Sequence, residues 1–379
     1  MFLPSLDPPK FPIAIYRTSS IGDVVLATAC LNLLRHLGLS SQAIWLGRNP
    51  SLDLIKSSYE EVRCIEIAED EDTRAGQRRL LEQLNGVQLF VDLQTNLRSK
   101  LLARVVKRDL GIPTVACRKN HLGRGRMVLG SRMRRRHAHL PRNVRYPAKL
   151  QFQMMLDALL EGLKTHLPPE FLDVADGFQA TPHLPISGDE ESRSWQKELK
   201  FGHWIAVAPG ASYQAKQAPL AHFKDILIDI KESRFRAGAL AEGEPLGLVF
   251  LGAKSERHLA LRIFDEIAWP WPVLNLAGKV SLWESTLALK EVEFVMTNDS
   301  ALSHVAEAVG TPSLVLFGPT VEGFGFSPWR QQSRAFSVDL GCRPCSKHGK
   351  VPCRFNDRRC FVDIPTSPIV SHCEGLLSE

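Results

Sequence analysis

The 379-residue sequence lacks an apolar run that could cross a bilayer. The longest, Val24 to Leu34, is broken by Thr28 and Asn32, and a span needs about 20 residues. It also lacks a basic stretch and apolar core at its start. Met1 to Lys10 carries three prolines and an acid instead, so no secretory signal is expected. Without export, the eight cysteines are expected as reduced thiols in a cytosol. No short repeat recurs, which excludes solenoids and arrays. The composition, 44% hydrophobic and 23% charged, excludes collagenous, disordered and disulfide-scaffold chains. The length is too great for one ordinary core, so two domains are expected.

Acid is missing from Leu110 to Leu156, where eleven basic residues stand: Arg118, Lys119, Arg124, Arg126, Arg132, Arg134, Arg135, Arg136, Arg142, Arg145 and Lys149. The rest of the chain holds 36 basic against 41 acidic residues. A local charge of +11 on an acidic body implies a polyanionic partner: nucleic acid, an anionic membrane surface or a phosphorylated substrate. The segment from His121 to His139, with Leu122, Leu129 and Met133 on one side, is a candidate for contact with the inner leaflet.

Short apolar runs alternate with amphipathic stretches. Strands are expected at 11–17, 43–46, 62–68 and 87–93, and again at 204–208, 246–251, 273–276, 293–297 and 313–317. Helices are expected at 21–37, 220–231, 256–267 and 282–292. Strand–helix alternation argues for an α/β fold of parallel sheets covered on both faces, and two series make two doubly wound domains. We place the first at 1–170 and a proline-bearing linker at 171–189. The second follows at 190–340, and a cysteine-containing tail at 341–379 is free to return to the first domain.

Ligands of such sheets sit beyond the carboxyl ends of strands. The first strand is followed by Ser19, Ser20, Ile21, Gly22 and Asp23. Asp23 reads either as a first-turn acid, worth about 0.3–1 kcal/mol against the helix dipole, or as a general base at the sheet mouth. There is no GxGxxG here, so a nicotinamide-type fingerprint is absent. Asp92, Gln94, Asn96 and Arg98 cluster after the strand ending at Leu93, where Arg98 also reads as a solvated helix start. In the second half, Pro209 to Ser212 forms a small-residue turn, with Lys216 four residues on, a phosphate-friendly pattern that is not a P-loop. Glu256 could accept from a ribose hydroxyl pair or serve as a helix-start acid. The segment Thr297 to His304 passes from strand to helix within three residues. Asp299 or Ser300 is expected to cap that helix, with His304 one turn later on the same face.

Taken in order, these motifs resemble glycosyltransferase family 9, the heptosyltransferases. The resemblance rests on S-x-G-D at Ser20–Asp23, D-x-Q-x-x-x-[KR]-S at Asp92–Ser99 and P-G-x-S with a lysine at Pro209–Lys216. It continues through G-x-x-x-E at Gly252–Glu256, L-x-G-K-x-S-L at Leu276–Leu282, N-D-S-x-x-x-H at Asn298–His304 and F-G-P-T at Phe317–Thr320. Seven motifs in order, from about Ile13 to Cys360, are specific where each alone is weak. Two positions depart from the pattern: Ala218 stands where tryptophan usually precedes the proline, and Ala301 where glycine usually follows the D-S pair.

The resemblance implies a GT-B architecture, two Rossmann-like domains facing across a cleft. It implies an inverting transfer of heptose from ADP-heptose to the inner core of lipopolysaccharide, with no required cofactor. By the same resemblance Asp23 is the catalytic base. Ser212, Lys216, Glu256, Asp299, Ser300, Ala301 and His304 bind the donor. Ser20, Gly22, Asn96, Arg98, Arg118 and Arg124 bind the acceptor. The enzyme would be cytoplasmic, in peripheral contact with the anionic inner membrane. Another anionic glycan acceptor is an alternative.

Cys342, Cys345, Cys353 and Cys360 leave a further question open. The first pair has zinc-like spacing but no matching second CxxC follows, so reduced thiols, zinc and disulfides all remain readings of the series. A basic zinc-cluster nucleic-acid-binding protein is the rival of another class. Against it, the basic stretch has little aromatic interleaving, Tyr146 only, and no docking motif.

Overall fold

The computed structural model describes residues 9–69, 73–133, 149–173, 177–186, 193–200, 202–236 and 245–378. Arg134, Arg135, Arg136, Arg142, Arg145 and Tyr146 of the basic stretch lie outside the described residues. So do 134–139 of the candidate membrane segment and 174–176 and 187–189 of the expected linker. The chain divides into two compact units, 1–119 with 149–187, and 120–148 with 188–379.

The first unit is built on β1 (Ile13–Tyr16), β2 (Ala43–Gly47), β3 (Arg63–Glu66), β4 (Leu89–Asp92) and β5 (Thr114–Ala116). All pair in parallel in the order β3-β2-β1-β4-β5. Helices α1 (Ile21–His36), α2 (Ser51–Ser58), α3 (Arg74–Gln83) and α4 (Leu97–Leu110) make the crossovers. The central strands are apolar on both faces because helices cover both, and they are buried end to end. α1 is equally apolar and packs beneath α6 (Gln151–His166).

The second unit opens with α5 (His121–Met133). The expected boundary at 170 differs here, and the buried face of the helix gives the reason. Arg124, Val128 and Ser131 face inward, and Val128 clusters with Val321 and Phe324. Short helices α7 (Pro169–Leu172) and α8 (Ser194–Leu199) follow in the chain, the first of them in the other unit.

The sheet of the second unit holds β6 (His203–Ala208), β7 (Leu246–Phe250), β8 (Val273–Asn275), β9 (Phe294–Asn298), β10 (Ser313–Leu316) and β11 (Arg334–Phe336). All are parallel, in the order β11-β10-β9-β6-β7-β8. The crossovers use α9 (Leu220–Arg236), α10 (Arg257–Ile267), α11 (Leu282–Lys290) and α12 (Ala301–Val309). The tail carries α13 (Arg359–Val362) and α14 (Ser367–Leu376). Phe361, Ile369 and Cys373 join Phe223, Ile226 and Leu316 in one apolar core. The tail therefore belongs to the second unit, not to the first.

Every strand expected from the apolar runs is present within a few residues. The two that were not expected, β5 and β11, are three-residue edge strands with partly exposed residues, too short for a readable apolar run.

Candidate active site

In each sheet the strand order reverses beside its first strand, between β1 and β4 and again between β6 and β9. Such switch points open a crevice at the carboxyl ends of the strands. The sequence-predicted residues gather at both.

In the first unit, β1 is followed by Arg17, only 2% exposed, whose Nη2 lies 2.7 Å from Asp23 Oδ2 in the first turn of α1. Arg17 Nη1 also donates to the Leu93 carbonyl at 2.5 Å, and Ser20 Oγ donates to Asp23 Oδ2 at 3.0 Å. Burial pushes the Asp23 carboxyl toward its neutral form, but Arg17, Lys119 and the Ser20 bonds together hold it below the ordinary carboxylate range. Lys119 follows β5, and its Nζ donates to the Gln94 carbonyl. Desolvation, with Arg17 adding repulsion, brings its ammonium down to about 8. The site thus combines an ionised acid with one buried guanidinium and one half-buried amine.

The D-x-Q-x-x-x-[KR]-S segment is the scaffold of this turn. Asp92 Oδ1 accepts from the N–H groups of Gln94 and Thr95 at 2.9 and 2.8 Å, and Oδ2 accepts from Ser99 Oγ at 2.8 Å. These bonds hold Thr95 at φ 52°, a region disfavoured for a β-branched residue. Gln94 Oε1 in turn accepts from the N–H groups of Thr18 and Ser19, and its Nε2 donates to Ser19 Oγ. Asn96 caps α4 through a reciprocal pair with Ser99. Arg98 is exposed on the first turn of that helix, while Gly22 is buried in α1. Arg118 makes an exposed ion pair with Glu161 at 3.1 Å.

Arg124 belongs to the other unit. There its Nη2 donates to the Phe324 carbonyl at 2.8 Å and its guanidinium covers the Phe324 and Phe326 rings. That guanidinium anchors α5 to its neighbours.

In the second unit, the turn after β6 is gripped by Asn298, whose Nδ2 donates to the Pro209 carbonyl at 2.7 Å. Asn298 Oδ1 accepts from the Ala218 N–H at 2.9 Å, which ties Lys216 into the same crevice. Lys216 Nζ lies 2.7 Å from Asp299 Oδ2, and Thr320 Oγ1 donates to that same oxygen at 2.7 Å. Ser300 occupies the cap position of α12, but its hydroxyl pairs with Thr297 Oγ1 at 3.0 Å. The expected side-chain cap is therefore not formed by Ser300 or Asp299, because both are bound elsewhere. The N-terminal turn of α12, starting at Ala301, keeps its amides for another acceptor.

Ser212 is exposed beside this turn. Glu256 accepts from the Ala253 N–H at 2.8 Å and sits so close over Gly210 that a Cβ there would lie 2.0 Å from its carboxyl carbon. His304 is buried, its ring stacked on Trp329 and tilted against Phe326, both at 6.1 Å between ring centres. The stem of Lys216 packs against Gly349 of the cysteine-containing loop. Arg343, also from that loop, donates to the carbonyls of Phe317, Gly318 and Thr320 and so braces the F-G-P-T turn.

Arg17, Lys119 and Arg343 were missed by motif reading. A charged residue closing the apolar run Ile13–Tyr16 was a usable signal for Arg17; Lys119 follows a strand too short to notice, and Arg343 sat among cysteines.

Cys342, Cys345, Cys353 and Cys360 do line one cavity. Cys345 Sγ points to the Cys342 carbonyl at 3.5 Å, and Cys353 Sγ to Asp357 Oδ1 at 3.7 Å. Among the described residues no group of three or more His, Cys, Asp or Glu is placed to hold a metal ion. All eight cysteines are free of disulfides.

Residues 77–353 match the family model for glycosyltransferase family 9 (heptosyltransferase). Lipopolysaccharide heptosyltransferase 2 of Salmonella typhimurium is 25% identical over 179 residues, 46% of this chain and 47% of that one. The chain thus spans about half the length of this curated relative. A solved glycosyltransferase family 9 protein of Veillonella parvula superposes with TM-score 0.66 at 16% identity, covering 97% of both chains. The ADP-heptose lipopolysaccharide heptosyltransferase II of E. coli superposes with TM-score 0.62 at 20% identity, covering 97% and 98%. At these identities the two structures speak for the fold.

Proposed function

The chain belongs to glycosyltransferase family 9, and from that premise we propose that it transfers heptose from ADP-heptose to the inner core of lipopolysaccharide, with inversion at the anomeric carbon. The observation that carries the reading is the Lys216–Asp299–Thr320 constellation beside the N-terminus of α12, at the switch point of the second sheet. A departing diphosphate develops negative charge, and a fixed ammonium with helix-end amides is suited to receive it. Asp299 offsets part of the lysine's charge, so the amides from Ala301 onward carry a real share. That supply of charge asks for no divalent metal. Glu256, which lies over Gly210, would accept from the ribose hydroxyls of the nucleoside. Ser212 and Ser300 would bond phosphate oxygens, and His304 would shape the α12 face of the same site.

On the first unit, Asp23 acts as general base, taking the proton of the acceptor hydroxyl on its carboxylate as that oxygen attacks the anomeric carbon. Ser20, Gly22, Asn96, Arg98 and Arg118 form the acceptor side, and Arg17 and Lys119 add positive charge suited to a phosphorylated or carboxylate-bearing sugar. Arg124 contributes by anchoring α5. That helix exposes Leu122, Leu129 and Met133 together with Arg126 and Arg132, a combination suited to peripheral contact with an anionic inner membrane. Among the described residues no helix is long and apolar enough to cross a membrane.

Incubation of the purified chain with ADP-heptose and Kdo-lipid A or heptosyl-Kdo acceptors, followed by mass spectrometry, tests the proposal. Addition of one heptose to one of these acceptors is the expected result. ADP binding without transfer to any of them would overturn the substrate assignment.

A further inference from the structure

Glu307 lies on α12 one turn after His304, on the same face, and is 0% exposed. A carboxylate at that depth has to be met by donors. Oε1 accepts from Ser313 Oγ on β10 at 2.8 Å and from Ser333 Oγ, just before β11. Oε2 accepts from two successive backbone amides, those of Trp329 at 2.8 Å and Arg330 at 3.0 Å. The Glu307 carbonyl accepts in addition from Arg330 Nε at 2.8 Å. No step of the proposed transfer calls on this group.

The two carboxylate oxygens serve different neighbours. Oε1 ties α12 to β10 and to the approach of β11, two strands that already pair with each other. Oε2 holds a loop, for residues 327–333 carry neither helix nor strand. In such a stretch no ladder sets the course of the backbone, so a grip on two successive amides decides where the side chains fall. The Trp329 side chain falls back on α12. Its ring stacks on the His304 imidazole with 6.1 Å between centres and 19° between planes. Contacts thus run in a closed circuit from His304 along α12 to Glu307, across to the Trp329 backbone, and through the indole to His304 again.

We propose that Glu307 is a positioning residue for the donor site: by fixing the Trp329 backbone it stacks the indole on His304 and sets that imidazole's orientation. The role rests on α12 being the donor-binding helix, as proposed above. An imidazole against a broad aromatic plane has one ring orientation left to it. A side chain ordered before the donor arrives gives up no rotamer freedom on binding.

Two readouts test this on the full chain. The first is the NMR signal of the His304 imidazole C–H, labelled at carbon and assigned by its loss in His304→Gln. Trp329→Leu should move it by removing the indole's ring current, and Glu307→Ala should reproduce most of that movement. Glu307→Gln should restore the wild-type position, because one amide oxygen can still accept from both backbone N–H groups. Ser313→Ala removes a donor to Oε1 only. It should lower the melting temperature and leave the imidazole signal in place. The second readout is ADP affinity by calorimetry. Glu307→Ala and Trp329→Leu should each weaken it about three- to tenfold, and the double variant no further than either alone. Thermal unfolding checks that each variant is folded, and Glu307→Asp, with its oxygens withdrawn by one methylene, stands in if Glu307→Ala is not. An imidazole signal indifferent to Glu307→Ala or its stand-in would overturn the assignment. So would a Ser313→Ala variant that loses as much ADP affinity as Glu307→Ala. A wild-type chain that binds no ADP would sink the proposed activity, while the imidazole signal would still decide the link from Glu307 to His304.

Discussion

Arg17 and Asp23, at the two ends of one strand–helix turn, make a 2.7 Å ion pair in which the cation is the deeper member: 2% of the Arg17 side chain is exposed against 22% of Asp23. The carboxylate keeps an open side while its charge is fixed from behind. A carboxylate held in this way stays ionised at neutral pH.

Asp23→Asn should lower turnover by about 10²–10⁴, the usual worth of a positioned acid or base. ADP affinity, measured by calorimetry, should stay within about twofold, since no donor contact changes. Loss of ADP binding instead would make Asp23 a structural residue. The variant should also lose about 1–3 kcal/mol of stability in urea, because Arg17 is left without its acidic partner.

Arg17→Met should move the acid limb of the kcat/KM profile to higher pH by about 1–3 units, the reach of one opposite charge at contact distance. Burial then acts on Asp23 with less opposition. The sign for stability follows. With its carboxyl held low in the folded state, Asp23 stabilises above its ordinary value of 3.8, and that contribution is lost as pH falls through the lower folded value. An unmoved acid limb would remove Asp23 as the titrating base.

Lys119 titrates near 8 in the folded chain against an ordinary 10.5. Between those values the unfolded chain holds a proton that the native chain has released, so this group's contribution to stability rises with pH. Lys119→Gln should remove the rise. The difference in urea midpoint between wild type and variant, followed from about pH 7.5 to 9.5, measures it.

Lys216→Ala should weaken ADP binding by about 10–100-fold, the range for a charge-assisted contact at a largely dry site. It leaves Asp299 with Thr320 as its remaining described partner, so repulsion of the phosphates adds to the loss. Unchanged affinity in calorimetry would take Lys216 out of the donor site.

Gly318→Ala would set a Cβ 2.2 Å from the Phe361 ring. A ring fully buried in the core cannot retreat freely, so a loss of about 1–3 kcal/mol is expected, read as a lower melting temperature. Pairing the change with Phe361→Leu should recover part of that loss and show that the clash is its source.

The fold was legible because parallel strands covered on both faces must be apolar throughout, as Ile13–Tyr16, Leu89–Asp92 and Phe294–Asn298 nearly are. Edge strands escape that rule, which hid β5 and with it Lys119. Motif spacing located Asp92, Asn298 and Asp299. Asp92 finds its partners Gln94, Thr95 and Ser99 within the same motif, but the partners of Asn298 and Asp299 lie far along the chain. Nothing local announces that Asn298 grips Pro209 or that Thr320 reaches Asp299. The placement of α5 was illegible for a related reason. Its inward face is Arg124, Val128 and Ser131, while the conspicuous Leu122, Leu129 and Met133 face solvent, so hydrophobicity alone points to the wrong side.

Gly349, at φ 69°, lets its loop lie against the stem of Lys216, where a Cβ would come within 2.3 Å of Lys216 Cγ. A lysine loose in water wanders among many rotamers, and freezing one costs about 1.5–2 kcal/mol. A stretch of backbone 133 positions downstream confines this one in advance. The expense falls in the folding of the chain, and an arriving anion meets an ammonium that no longer has to be caught.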